Sequence, residues 1–328
     1  MIDPAPNDQD LRALIEEFFR SSFVTDNEII TEAVRRMLAA GGKRLRPRFT
    51  LLAAEAAGAD PSEHLPLASY MELIHVATLI HDDVVDHADT RRGVNATAVD
   101  FGNRISVLAG DYVFAWIFKN VTAGYPHPIP HILSSTLADI TDGEVLQLGA
   151  LGNVDLSVAD YINIVVKKTA TLFAASAECG AIMGGGTPLR VKALRDFGLH
   201  YGIAFQMRDD LLDMVADEAS LGKPVGNDLH ERKVTLPLIL GLEEADSEFR
   251  GDVERFYDEE DESRERIAGL VERIGANGGF EKTQASIATY VERAKISLAP
   301  LGSAPARSKL NALADALVEE ENPGKRRF

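Results

Sequence analysis

The sequence predicts an all-α chain, on three observations. Apolar residues recur at three- and four-residue spacing, as at Ile29, Ala33, Val34, Met37 and Leu38, and again at Leu67, Tyr70, Met71 and Ile74. Alternating strand patterns closed by hairpin turns are hard to find, and Asp142-Gly143 lies inside a helical pattern of Leu137, Ile140, Glu144 and Leu148. Breaks fall at Gly41-Gly42, Gly58 to Pro61, Gly124 to Pro130, Gly149 to Val154, Gly184 to Pro188, Gly222 to Gly226 and Gly275 to Gly279, so the segments between them have the length of helices joined by short loops.

Composition narrows the class further. The chain has 328 residues, of which 45% are hydrophobic and 26% charged, a balance that supports a large core and excludes wholesale disorder. Cys179 is the single cysteine, so no internal disulfide and no cysteine-based metal cluster is available, and a reducing, cytoplasmic setting is expected. No apolar run reaches the roughly 18–20 residues that cross a bilayer, and the polar stretch Met1 to Asp10 lacks the pattern of a secretory signal. A formal net charge of −17 argues against nucleic acid as a partner. The acidic and arginine-rich segment from Glu243 to Arg266 reads as a solvated surface, and the basic tail Lys325 to Arg327 as a solubilising end.

Two short motifs carry the chemistry. Asp82-Asp83-Val84-Val85-Asp86 and Asp209-Asp210-Leu211-Leu212-Asp213 each place carboxylates at i and i+4, on one face of a helix. Among 26 aspartates, two chance copies of this pattern arise roughly once in a hundred sequences. Like charges at that spacing repel by about 0.2–0.5 kcal/mol on a bare helix, so each pair calls for a cation. Oxygen-only donors select a hard ion, and Mg²⁺ takes one or two carboxylates and completes its shell with substrate phosphate. Apolar helical stretches, Leu73 to Ile80 and Val191 to Met207, lead into both motifs, as two walls of one cavity would.

Basic residues recur beside these motifs in a strongly acidic chain. Gly41-Gly42-Lys43-Arg44-Leu45-Arg46 offers a glycine turn and three cations, with Lys43 and Arg46 at i and i+3. Arg91-Arg92-Gly93 follows the first motif within two helical turns, and Lys167-Lys168-Thr169, Lys223 and Lys233 add further charges. A nucleotide-type phosphate loop is excluded, because no G-x-x-x-x-G-K-[ST] pattern occurs.

In this order the motifs resemble the trans-type polyprenyl diphosphate synthases. The patterns are Gly42-Lys43-Arg44-Leu45-Arg46-Pro47, His75, Asp82 to Asp86, Arg91-Arg92-Gly93, Gly110-Asp111, Gly143-Glu144, Lys168-Thr169, Phe205-Gln206, Asp209 to Asp213, Gly222-Lys223-Pro224 and Gly226-Asn227-Asp228-Leu229, collinear from Gly41 to about Pro237. The resemblance implies a single isoprenoid synthase domain over residues 1–328, an α-helical bundle around a deep hydrophobic cavity, acting as a homodimer. It implies Mg²⁺ on Asp82, Asp86 and Asp209, and a catalytic set of Asp82, Asp83, Asp86, Lys168, Asp209 and Lys223. It puts isopentenyl diphosphate on Lys43, Arg46, His75 and Arg92, and the allylic diphosphate on Arg91, Lys168, Thr169, Gln206, Lys223 and Lys233.

The expected reaction is ionisation of the allylic diphosphate, condensation with isopentenyl diphosphate, and loss of a proton. Ala77 and Thr78, five and four residues before Asp82, are the expected chain-length positions. In the family that the chain resembles, short-chain members put an aromatic at this depth or insert two residues in the motif, and this chain does neither. The resemblance therefore implies a long all-trans product, hexaprenyl to decaprenyl diphosphate, from a farnesyl or geranylgeranyl primer, with membrane contact limited to delivery of that lipid. The alternatives are a short-chain synthase, a class I terpene cyclase and a non-catalytic partner subunit. The all-aspartate second motif argues against the cyclase, and the retained aspartates and Lys43 argue against the inactive subunit.

Overall fold

The computed structural model describes residues 8–23, 25–91, 93–215, 225–259, 263–303 and 305–319. Its helices, in chain order, are α1 (Asp8–Ser22), α2 (Glu28–Ala39), α3 (Leu45–Ala57), α4 (Leu65–Val85), α5 (Thr97–Phe101), α6 (Asn103–Gly124), α7 (Ile129–Gly149), α8 (Val158–Val165), α9 (Thr171–Met183) and α10 (Pro188–Val215). They continue as α11 (Asn227–His230), α12 (Leu236–Leu242), α13 (Ser247–Asp258), α14 (Arg264–Ala276), α15 (Gly279–Ser297) and α16 (Pro305–Glu319). The helical expectation holds, and among the described residues the glycine and proline breaks fall between helices or at their ends, while Gly222 to Pro224 lie outside the described residues. One element escaped the sequence reading: strands β1 (Thr90–Arg91) and β2 (Val94–Asn95) pair antiparallel, Thr90 opposite Asn95 and Arg91 opposite Val94. Two-residue strands are too short to show an alternation.

Side-chain caps start several helices where the sequence supplies them. Asn27 accepts from the backbone N–H groups of Ile29 and Ile30 at 3.1 and 3.4 Å, Ser157 from Asp160 at 3.1 Å, and Asp246 from Phe249 at 2.7 Å. Pro66 in the first turn of α4 lacks the N–H that would be orphaned there.

The chain forms two compact units. One draws on residues up to Ser135, on Ala175–Arg195 and on Ser303–Ala306; the other on Thr136–Ala174, Asp196–Gly302 and the chain from Arg307. In the first unit α4 packs against α3, α6, α1 and α2, and its buried residues, among them Leu67, Tyr70, Met71, Leu73, Ile74, Val76 and Ala77, cover all of its sides. A helix apolar all round belongs at the centre of its unit. In the second unit α12, every residue of which is buried, packs against α15, α14 and α8. Among the described residues no helix is long and apolar enough to cross a membrane.

Candidate active site

The first unit carries the first aspartate motif at the C-terminal end of α4. The N–H of Asp86 caps the helix on the carbonyl of Asp82 at 2.8 Å. Asp82 and Asp86 are partly exposed, whereas Asp83, on another side of the helix, is fully buried. Arg91 reaches back from β1 and places Nε at 2.7 Å and Nη2 at 2.5 Å from Asp83 Oδ1. The hairpin thus returns Arg91 to the motif by a strand, not along a helix, and the guanidinium neutralises the middle carboxylate. Asp83 and Arg91, expected in catalysis and in allylic diphosphate binding, stand in the structure as an ion pair whose carboxylate is buried and whose guanidinium is partly exposed. Arg92 lies outside the described residues.

The rotation of α4 is fixed one residue before the motif. His81 Nε2 lies 3.0 Å from the carbonyl oxygen of Val107 and 3.6 Å from Asp111 Oδ1 on α6. Gly110 makes room for that ring: a Cβ there would stand 2.3 Å from His81 Nε2.

The basic stretch before α3 separates into two roles. Gly41 and Gly42 have φ of 94° and 130°, and Arg44 itself sits in the left-handed region at φ 47°. This turn drives Arg44 inward, where it is 2% exposed, donates from Nη1 to Glu72 Oε1 at 2.6 Å and from Nη2 to the Leu38 carbonyl at 2.5 Å. Lys43 stays exposed and Arg46 half-buried, so the two cations expected to hold a diphosphate are the two that remain toward solvent. His75 is half-buried on α4; Ala77 is fully buried, and Thr78 donates its hydroxyl to the carbonyl of His75 at 2.8 Å. Farther back on α4, the ring of Tyr70 meets those of Trp116 at 5.5 Å and Phe18 at 5.6 Å between centroids.

The second unit repeats the logic on α10. Asp209 is exposed, Asp213 partly so, and the middle Asp210 is buried. Asp210 accepts from the Tyr161 hydroxyl at 2.5 Å and from Gln206 Nε2 at 2.8 Å. Burial raises its carboxyl to about 7 against these hydrogen bonds, with Asp209 and Asp213 adding repulsion. Asp213 Oδ2 accepts from the backbone N–H of Asp228 at 2.9 Å, tying α10 to the start of α11. Burial also holds the Asp228 carboxyl well above its ordinary range, helped by Asp213 and Asp210. Lys233 pairs with Glu231. Lys223 lies outside the described residues.

Lys168 and Thr169 sit in a π-helical turn, Val166–Ala170, between α8 and α9. Such turns widen the helix by one residue and redirect side chains, and they recur at functional sites. Gly143 on α7 lets the turn approach closely, since a Cβ there would meet Lys168 N at 2.6 Å. Lys168 Nζ is 2.5 Å from both Glu144 Oε2 and Gln147 Oε1, and Thr169 donates to Gln206 Oε1 at 2.8 Å. Tyr161 is the residue that sequence reasoning missed; its contact with Asp210 spans 49 positions and leaves no local signal.

The donors suit a hard divalent ion. They are oxygen atoms only, and among the described residues no group of three or more His, Cys, Asp or Glu is placed to hold an ion by itself. An ion that takes one or two carboxylates and completes its shell with water and phosphate fits such a set.

Helical packing with two such motifs, each showing outer carboxylates over a neutralised or hydrogen-bonded middle one, defines a prenyltransferase of the isoprenyl diphosphate synthase class. The chain belongs to the polyprenyl synthetase family, whose model matches residues 27–274, a divalent-metal-dependent family. It is 37% identical over 297 residues to the octaprenyl diphosphate synthase of Escherichia coli (strain K12), covering 90% of this chain and 92% of that one. It is equally 37% identical over 299 residues to the short chain isoprenyl diphosphate synthase of Methanothermobacter thermautotrophicus, covering 90% and 91%. A polyprenyl synthase from Caulobacter crescentus CB15, solved with calcium and isoprenyl diphosphate, superposes with a TM-score of 0.87 at 38% identity, covering 94% and 93%.

Proposed function

We propose that this prenyltransferase condenses isopentenyl diphosphate with an allylic primer to give a long-chain all-trans polyprenyl diphosphate, with Mg²⁺ on Asp82, Asp86 and Asp209. The observation that carries the reading is the matched construction of the two motifs: Asp82 and Asp86 on α4 are partly exposed and Asp209 on α10 is exposed, while Asp83 and Asp210 are buried. When bound, Mg²⁺ supplies the charge neutralisation that lets the allylic diphosphate leave. Lys43, Arg46, His75 and Arg92 bind isopentenyl diphosphate, whose double bond attacks the allylic carbon. Lys168, Lys223 and Lys233 bind the allylic diphosphate, and Lys168 exchanges Glu144 and Gln147 for it. Thr169 and Gln206 turn oxygen dipoles toward the carbon as it becomes cationic. Asp83 and Arg91 act through their ion pair by holding the motif in place. The protein needs no nucleophile of its own, and the departing diphosphate takes the final proton. Residues 1–328 work as one catalytic domain, paired as a homodimer in the cytoplasm.

The long product rests on Ala77. At about 1.5 Å per residue it lies roughly 7 Å along α4 from Asp82, and it presents only a methyl group there. Tyr70, packed on Trp116 and Phe18, lies about 18 Å from Asp82 on the same scale and is the proposed stop. The relative named as a short-chain enzyme supports a competing reading in which growth ends earlier. Purified protein incubated with Mg²⁺, labelled isopentenyl diphosphate and primers of increasing length, with products dephosphorylated and sized, decides between them. Products of thirty to fifty carbons are expected; a product that stops at fifteen or twenty carbons refutes the long-chain reading.

A further inference from the structure

We propose that Tyr161 and Asp210 are positioning residues that set the polarity of the Gln206 amide and the Thr169 hydroxyl, so that Thr169 offers oxygen lone pairs rather than its proton to the allylic group. The inference rests on the reading above, in which Thr169 and Gln206 serve that group.

The geometry is a directed chain within one unit. Tyr161 donates to Asp210 Oδ2 at 2.5 Å, Gln206 Nε2 donates to Asp210 Oδ1 at 2.8 Å, and Thr169 Oγ1 donates to Gln206 Oε1 at 2.8 Å. Both carboxyl oxygens of Asp210 accept, Oδ2 from Tyr161 and Oδ1 from Gln206, so the amide of Gln206 turns its nitrogen toward Asp210 and its oxygen toward Thr169. That oxygen then claims the single proton of the Thr169 hydroxyl, and both lone pairs of Oγ1 are left for a ligand. Gln206 and Asp210 stand at i and i+4 on α10, where such a pair meets naturally. Tyr161 and Asp210 are 4% and 5% exposed, so water does not compete for the carboxylate. In a low-dielectric setting a chain with every member satisfied holds one orientation.

Replacing the carboxylate by an amide reverses the chain. In Asp210→Asn the Tyr161 hydroxyl still donates, to the amide oxygen, which turns the amide nitrogen toward Gln206. Gln206 then accepts through Oε1 and presents Nε2 to Thr169, whose proton is released toward the ligand. A developing cation would meet the positive end of the hydroxyl dipole.

The test is a double-mutant cycle on prenyl transfer at saturating substrates, with melting temperatures recorded throughout. Thr169→Val alone is expected to lower kcat about tenfold, since it removes one oriented dipole. Asp210→Asn alone is expected to lower kcat by about tenfold or more while the KM of the allylic primer changes less than about threefold, the mark of an interaction made in the transition state. In the Asp210→Asn background, Thr169→Val should cost nothing or restore activity. Losses that multiply to about a hundredfold in the double variant indicate independent sites and overturn the proposal. So does a wild-type background in which Thr169→Val has no effect. Should Asp210→Asn fail to fold, the cycle is run with Gln206→Leu, which removes the acceptor of the Thr169 proton; the penalty of Thr169→Val should then shrink at least twofold, and an unchanged penalty overturns the proposal. Wild-type protein without prenyl transfer overturns the underlying reading and the proposal with it, whereas multiplying losses in an active enzyme overturn the proposal alone.

Discussion

Replacing Arg44 by Met should unfold the first unit far more readily than replacing Lys43, one residue away. The Arg44 and Glu72 side chains are 1% and 3% exposed and 2.6 Å apart. Removing the guanidinium strands a carboxylate in the core, a loss of about 3–5 kcal/mol for a buried pair. The Leu38 carbonyl loses its charged donor as well, which adds about 1 kcal/mol. A total of about 4–6 kcal/mol corresponds to a fall in melting temperature of about 6–9 °C for a chain of this size. Met also keeps the left-handed backbone at this position occupied by a side chain with a Cβ, so the strain there is common to both proteins. Adding Glu72→Met should recover most of the loss, because an apolar pair of similar volume often equals or exceeds a buried ion pair. Urea and thermal unfolding followed by circular dichroism measure all three proteins. A single variant within about 1 kcal/mol of wild type, or a double variant as unstable as the single one, would refute the reasoning.

Three further outcomes follow from the same geometry. Lys43→Ala and Arg46→Ala should raise the KM of isopentenyl diphosphate about tenfold or more while leaving that of the allylic primer within about threefold, and Lys168→Ala should do the reverse; equal effects on both substrates would dissolve the division of the binding residues. Ala77→Phe should shorten the product to about twenty carbons or fewer with turnover retained, read by sizing the dephosphorylated lipids, since a ring would then stand roughly 7 Å from Asp82. On the surface, hydrogen bonds from Arg35 and then Arg36 hold the Glu32 carboxyl down to about 2 from an ordinary 4.5. A depressed carboxyl stabilises the fold above its unfolded pKa and loses that contribution as pH falls through the folded value, so Glu32 should weaken the fold between about pH 4.5 and 2. Carbon-13 titration of Glu32 near 4.5 would contradict this.

The aspartates were legible because their chemistry is written in local spacing: i and i+4 carboxylates share a helix face wherever the helix goes. The same spacing could not tell Asp83 from Asp82, since the distinction depends on Arg91 returning through a two-residue strand. Nor could it separate Lys43 from Arg44, neighbours whose directions are set by positive φ at Gly41, Gly42 and Arg44. The π turn at Val166–Ala170 has no periodic signature, although Lys168-Thr169 was found by its chemistry. Tyr161 was invisible for a different reason: a lone tyrosine on a helix reads as core, and only the packing of α8 near α10 gives its hydroxyl a carboxylate. Gly110 and Gly143 belong to motifs read from the sequence, but their purpose, admitting His81 and the backbone of Lys168, emerges only from the packing.

The most direct test of the central claim is the Mg²⁺ dependence of prenyl transfer in Asp82→Ala, Asp86→Ala and Asp209→Ala beside the wild type. Partly exposed side chains such as these contribute little to stability, so each variant should melt within a few degrees of wild type. Wild-type turnover should appear with Mg²⁺ and vanish with chelator, and each variant should lose about a hundredfold or more in kcat at saturating Mg²⁺. Turnover near the wild-type value in all three folded variants would contradict the account.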